Sequence, residues 1–131
     1  MTRLALALTL LTALPFAAPA QTTWKAIRRT TSGNMVYVAP RSVKKENGLV
    51  SALVRVVFTQ PVQTPSGPWA TSRVTATFDC AKRKLAAKES VYYSDAAEKH
   101  VAQRTVNKLP GYGPVIDGSL GEIALTYLCA H

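Results

Sequence analysis

The sequence predicts an α+β fold: a single antiparallel β-sheet of about six strands, a C-terminal α-helix packed on one face, and a disulfide joining helix to sheet. Three observations carry this. Residues 70–80 alternate strictly, with Ser72, Val74, Ala76, Phe78 and Cys80 on one face and Arg73, Thr75, Thr77 and Asp79 on the other. Near the C-terminus, Leu120, Ile123, Ala124, Tyr127 and Leu128 recur at helical spacing instead. The two cysteines, Cys80 and Cys129, stand at the end of that strand and near the end of that helix.

Residues 1–20 read as a signal peptide: Arg3, an apolar run over 4–14, Pro15, then the small-residue site Ala18-Pro19-Ala20 before Gln21. The run is too short to span a membrane, and no later stretch reaches about 18 successive apolar residues. No cysteine stands at the cleavage junction to accept a lipid. The expectation is an exported protein, periplasmic or secreted and not lipid-anchored, with residues 21–131 as one small domain. In an oxidising compartment, the expected state of Cys80 and Cys129 is a disulfide, with two free thiols as the alternative. The net charge is +9, one unit of it from Arg3. Such a domain attracts acidic polymers at long range and in a salt-dependent way. The same charges also serve simply to solvate strand faces and turns. No specific nucleic-acid partner is expected.

Taken in order, residues 22–29 form a strand candidate with Trp24 and Ala26 on one face and Lys25 and Ile27 on the other. The turn signal Ser32-Gly33-Asn34 follows. A short second strand, 35–39, ends at Pro40, which cannot donate to a ladder. Trp24 and Tyr37 are read as packing residues, with ligand contact as the alternative. Residues 41–48 are a polar connection closing on Asn47-Gly48, a pair suited to a tight turn. In residues 49–59 one face is apolar (Val50, Ala52, Val54, Val56, Phe58) and the other mixed (Leu49, Ser51, Leu53, Arg55, Val57), which fits a central strand. Residues 60–68 hold three prolines and a glycine and read as an irregular loop. After the alternating strand, Lys82-Arg83-Lys84 makes a turn into a fifth strand, 85–94. Residues 95–98 form a turn, or alternatively a helical turn, before a sixth strand at 100–106. Residues 108–118 are a loop, and Ser119 with Glu122 has the spacing of a capping box for the helix.

Short connections favour an antiparallel meander. The turns after the second and fourth strands then fall at one end of the sheet, and Lys44, Lys45, Lys82, Arg83 and Lys84 share a rim. The helix C-terminus, whose dipole favours cations, must arrive there too. This rim is the expected site for an acidic partner.

The chemical inventory points away from catalysis. His100 and His131 are isolated, and no residues have metal-ligand spacing. Neither histidine has a nucleophile beside it. Gly111-Tyr112-Gly113 lacks the further glycine and lysine of a phosphate-binding loop. No catalytic residue, metal site or cofactor is expected.

Several short features occur in a fixed order: Trp24, then Tyr37-Val38-Ala39-Pro40-Arg41-Ser42-Val43, Phe78-Asp79-Cys80-Ala81-Lys82-Arg83, Tyr92-Tyr93, and Gly118-Ser119 leading to Cys129. Together they resemble the surface-adhesin protein E family of Gram-negative bacteria, over nearly all of residues 21–131. The resemblance implies a small antiparallel sheet with the helix on its concave side and a disulfide tying the two. It also implies dimerisation as an option and, for the founding adhesin, binding of host matrix proteins such as vitronectin and laminin. This sequence departs in having Ala39 where an aspartate is usual, and in lacking the lipidation cysteine by which the founding adhesin is displayed. The reading is a non-enzymatic exported binding protein for a host extracellular-matrix protein or acidic polymer. The alternative is a periplasmic structural or assembly subunit held by a sheet edge or as a homodimer.

Overall fold

Two long strands carry the sheet in the computed structural model, which describes residues 10–13 and 21–130. They are β4 (Leu49–Thr64) and β5 (Gly67–Asp79), paired antiparallel from Leu49 opposite Asp79 to Thr64 opposite Gly67. Around them lie β1 (Lys25–Arg29), β2 (Met35–Val38), β6 (Lys84–Tyr93) and β7 (Val101–Val106), giving the order β1-β2-β4-β5-β6-β7. This is the expected six-strand antiparallel meander. The cleavage site at Ala18-Pro19-Ala20 and His131 lie outside the described residues.

Two short strands extend it beyond expectation. The polar connection contains a 3-10 turn (Pro40–Ser42) and then β3 (Lys44–Glu46), which pairs with β4. Asn47 and Gly48 both have positive φ, at 52° and 77°, so the hairpin takes the turn that Asn-Gly favours. Ser42 stitches the 3-10 turn down: its Oγ donates to Ala39 O and accepts the Leu53 N–H at 2.8 Å. In the loop after β7, β8 (Gly113–Pro114) pairs with Leu85 and Lys84 of β6.

Residues 60–68 are not an irregular loop. Both strands run through them, and the chain reverses at Pro65-Ser66 between Thr64 and Gly67. The register shifts between Val57 and Val62, so the bulged residues need no regular ladder bonds and Pro61 is tolerated. The Thr59 N–H bonds Asn34 Oδ1 at 3.0 Å.

The helix α1 (Leu120–Ala130) lies against β1, β2 and β4. Ile123, Ala124, Leu125 and Leu128 join Val36, Val38, Val50, Ala52, Val54, Ala76 and Phe78 in one buried core. Burial of each large apolar side chain contributes about 1.5–3 kcal/mol. The apolar stripe is wider than expected, since Leu125 is buried and Tyr127 only partly so. Ser119 Oγ caps the helix by accepting the Glu122 N–H at 3.3 Å. The reciprocal half of the box is not made: the Ser119 N–H bonds Ile116 O, and the Glu122 carboxylate bonds Arg28. Cys80 and Cys129 are joined, with Cα atoms 5.6 Å apart. The staple links the end of β5 to the last turn of α1.

Candidate functional site

Register places the five expected cations. Glu46 pairs with Leu49, Leu49 with Asp79, and Asp79 with Lys84, so the β3–β4 and β5–β6 turns stand side by side at one end of the sheet. Lys44, Lys45, Lys82, Arg83 and Lys84 are all exposed there. They do not form one flat surface. Lys44 is level with Ser51 and Thr77 on the face away from the helix, whereas Lys45 pairs with Val50 on the helix side. The β5–β6 turn is held by Asp79, which accepts the Lys82 N–H at 3.1 Å, and Arg83 takes a left-handed φ of 51°. Glu46 and Asp79 lie among the cations, so the end remains cationic but is not purely so. The disulfide brings the negative end of the α1 dipole to the same place. A depression of about 330 Å³, lined by Lys44, Glu46, Ser51, Thr77 and Tyr112, opens at this end.

A second constellation lies on the open face, opposite the helix. Tyr37, Arg55 and Arg73 stand directly opposite one another across β2, β4 and β5. Two cations facing each other on adjacent strands are unfavourable by themselves. Glu98, from the β6–β7 connection, resolves the conflict: its Oε1 meets Arg55 Nε and its Oε2 meets Arg73 Nε. The Glu98 side chain is only 5 % exposed, against 18 % for Arg55 and 29 % for Arg73. Trp24, Tyr37 and Tyr93 frame the pair. Both guanidinium groups lie over the Trp24 ring, at 5.7 and 5.1 Å from its centroid, and each covers one tyrosine at 5.8 Å or less. Trp24 and Tyr37 therefore do pack, but against arginines on the open face and not in the core.

The connection that presents Glu98 is organised by Asp95. Its carboxylate accepts the backbone N–H of His100 at 2.9 Å and of Lys99 at 3.1 Å, and these bonds, His100's foremost, hold its pKa below the ordinary carboxylate value. His100 Nδ1 is 3.6 Å from Asp95 Oδ2. Among the described residues no three His, Cys, Asp or Glu side chains cluster as metal ligands, and no helix is long and apolar enough to cross a membrane.

Sequence reasoning missed this constellation. It placed Arg55 and Arg73 on the less apolar faces of their strands, which is correct, but their pairing follows from register and Glu98 arrives from 25 residues beyond Arg73.

A third surface is apolar. Leu109 and Ile116, 95 % and 74 % exposed, border an open groove of about 500 Å³ with Leu85, Ala87 and Asn107. Beside it, β7 is the last strand of the sheet, with Val101 and Val106 exposed.

A family model described as surface-adhesin protein E matches residues 24–130. No curated protein matches the sequence. Among solved structures, the chain is similar to Haemophilus influenzae protein E in crystal form II, with a TM-score of 0.58 at 17 % identity over 90 % of this chain and 97 % of that one. Another structure of H. influenzae protein E gives 0.54 at 14 % identity, covering 89 % and 91 %. Protein E from non-typeable H. influenzae gives 0.52 at 16 % identity, covering 89 % and 83 %. At these identities the likeness speaks for the fold: the sheet, the terminal helix and their order.

Proposed function

Because the chain belongs to the surface-adhesin protein E family, we propose that it is an exported, non-enzymatic binding protein that holds a macromolecular partner at the cationic end of its sheet. Residues 1–20 direct export and are removed, and without a lipidation cysteine the mature protein is periplasmic or secreted. The observation that supports the site is the register, which gathers Lys44, Lys45, Lys82, Arg83 and Lys84 at one end although they come from two separate turns. Exposed cations on short turns reach outward without disturbing the core. An acidic polymer or the acidic surface of a host matrix protein fits that charge.

The test is charge reversal in the β5–β6 turn, Lys82→Glu, Arg83→Glu and Lys84→Glu together. Affinity for immobilised heparin, vitronectin or laminin should fall by tenfold or more. Unchanged affinity for all three removes the rim as the site.

The exposed edge of β7 and its neighbours Val101, Val106 and Leu109 favour a second reading, a periplasmic assembly subunit or homodimer joined through that edge. Light scattering decides it: a monomer at high concentration with no co-purifying partner counts against this reading.

A further inference from the structure

The open-face constellation asks why a sheet would place two arginines opposite each other. Neighbouring positions on the same face carry Ser51, Thr75 and Thr77, which raise no such conflict. An anion between the members of an arginine pair offsets their repulsion. Here the anion is delivered by a connecting segment. Glu98 takes a φ of +58°, a left-handed conformation that costs a side chain free energy. Other hydrogen bonds of the segment that carries it lie within the segment, from the Lys99 and His100 amides to Asp95 and from the Ser94 N–H to His100 O. Ala96, Ala97, Lys99 and His100 are exposed, and no side chain of residues 94–100 joins the buried core. The segment's second link to this face is also through an arginine, with Arg55 Nη2 donating to Ala96 O at 3.4 Å. Two guanidinium groups against one carboxylate leave one positive charge uncompensated. Three aromatic rings surround it, the residue types that dominate binding hot spots.

We propose that Arg55 and Arg73, framed by Trp24, Tyr37 and Tyr93, form a recognition site for an acidic side chain of a peptide partner, and that Glu98 occupies this site in the free protein. Arg73 Nε donates to one carboxylate oxygen and Arg55 Nε forms an ion pair with the other, so the slot holds one carboxylate between two guanidinium groups. A glutamate or aspartate on an extended partner chain matches that shape and charge, and its entry releases the 94–100 connection. This site is separate from the cationic rim, and its success or failure is independent of it.

The probe is a blocked decapeptide of alternating glutamate and glycine, titrated into the oxidised protein. In a Trp69→Phe background Trp24 is the remaining tryptophan of residues 21–131 and reports on the cluster. Glu98→Gln removes the internal anion, so peptide affinity should rise about tenfold, the scale of one charge-assisted hydrogen bond. Adding Arg73→Met should cancel the gain, whereas charge reversal at Lys82, Arg83 and Lys84 should leave the gain intact. A folded Glu98→Gln protein with unchanged affinity overturns the proposal. So does an equal gain for a sulfated heparin hexasaccharide, which would reduce the slot to a general anion site. If Glu98→Gln does not fold, hydrogen exchange on the unmodified protein decides. Bound peptide should accelerate exchange of the Lys99 and His100 amides, and unchanged protection at saturating peptide refutes displacement.

Discussion

Removing the covalent link between Cys80 and Cys129 tests how the fold is held. The bridge closes a loop spanning 49 positions, from the end of β5 through β6, β7 and the long 107–119 connection to the last turn of α1. In the chain-entropy description, a loop of that length disfavours the unfolded state by about 4 kcal/mol. A domain of this size has a total stability of about 5–15 kcal/mol, so the bridge carries a large share of it. The helix does not depend on the bridge alone, because Ile123, Ala124, Leu125 and Leu128 remain buried against β2 and β4. The reduced protein should therefore fold, but weakly. With a urea m-value of about 1–1.5 kcal/mol/M, reduction should lower the midpoint by about 3 M. The assay is urea titration with and without reductant, followed by tryptophan fluorescence for the sheet and far-ultraviolet circular dichroism for the helix. Both signals should shift together, since the bridge acts on the unfolded chain as a whole. A shift below about 1 M would refute the loop-entropy argument. Loss of the helix signal ahead of an unshifted fluorescence transition would show instead that the bridge holds the helix locally.

Gly118 offers a steric test. It has a φ of +75°, and a Cβ there would lie 1.9 Å from Thr31 Oγ1, where the Thr31 N–H already bonds Gly118 O at 3.0 Å. Gly118→Ala should cost about 2 kcal/mol or more in thermal or urea unfolding, and adding Thr31→Ala should recover part of it. Asp95 supplies a pH test. Its lowered pKa means that its hold on the Lys99 and His100 amides is complete above the ordinary carboxylate value near ~3.9 and is lost as the pH falls through the lowered folded value. Hydrogen exchange of those amides, corrected for intrinsic rates, should show protection that is lost at a pH below the ordinary carboxylate value. Asp95→Asn should abolish that pH dependence.

The architecture was legible because its main elements are written as periods. The alternation over 49–59 and 70–80 gave β4 and β5 their faces, and Asn47-Gly48 marked a turn that the structure makes. The spacing of Leu120 to Leu128 gave α1 its buried side. What was misread shares one cause: local signals were read without the partner strand. Of the prolines of 60–68, Pro61 falls in the bulge between Val57 and Val62 and Pro65 falls where the chain reverses, while Pro68 stands in the ladder opposite Gln63, so both strands continue. The pairings of Lys44–Glu46 and Gly113–Pro114 have too few residues to show a period. The rim cations could be placed at one end from turn order alone. The Arg55–Glu98–Arg73 cluster could not, because it depends on register and on the path of a connection. Glu122 at capping-box spacing shows the same limit, since Arg28 from β1 takes its carboxylate.

The most direct test of the binding reading is titration of the oxidised mature protein onto immobilised vitronectin, laminin and heparin across a range of salt concentrations. The account predicts saturable binding to at least one of these that persists at physiological ionic strength, about 0.15 M, and weakens gradually above it. Binding that disappears from every surface alike as salt approaches that value, or no binding at any concentration, would contradict it.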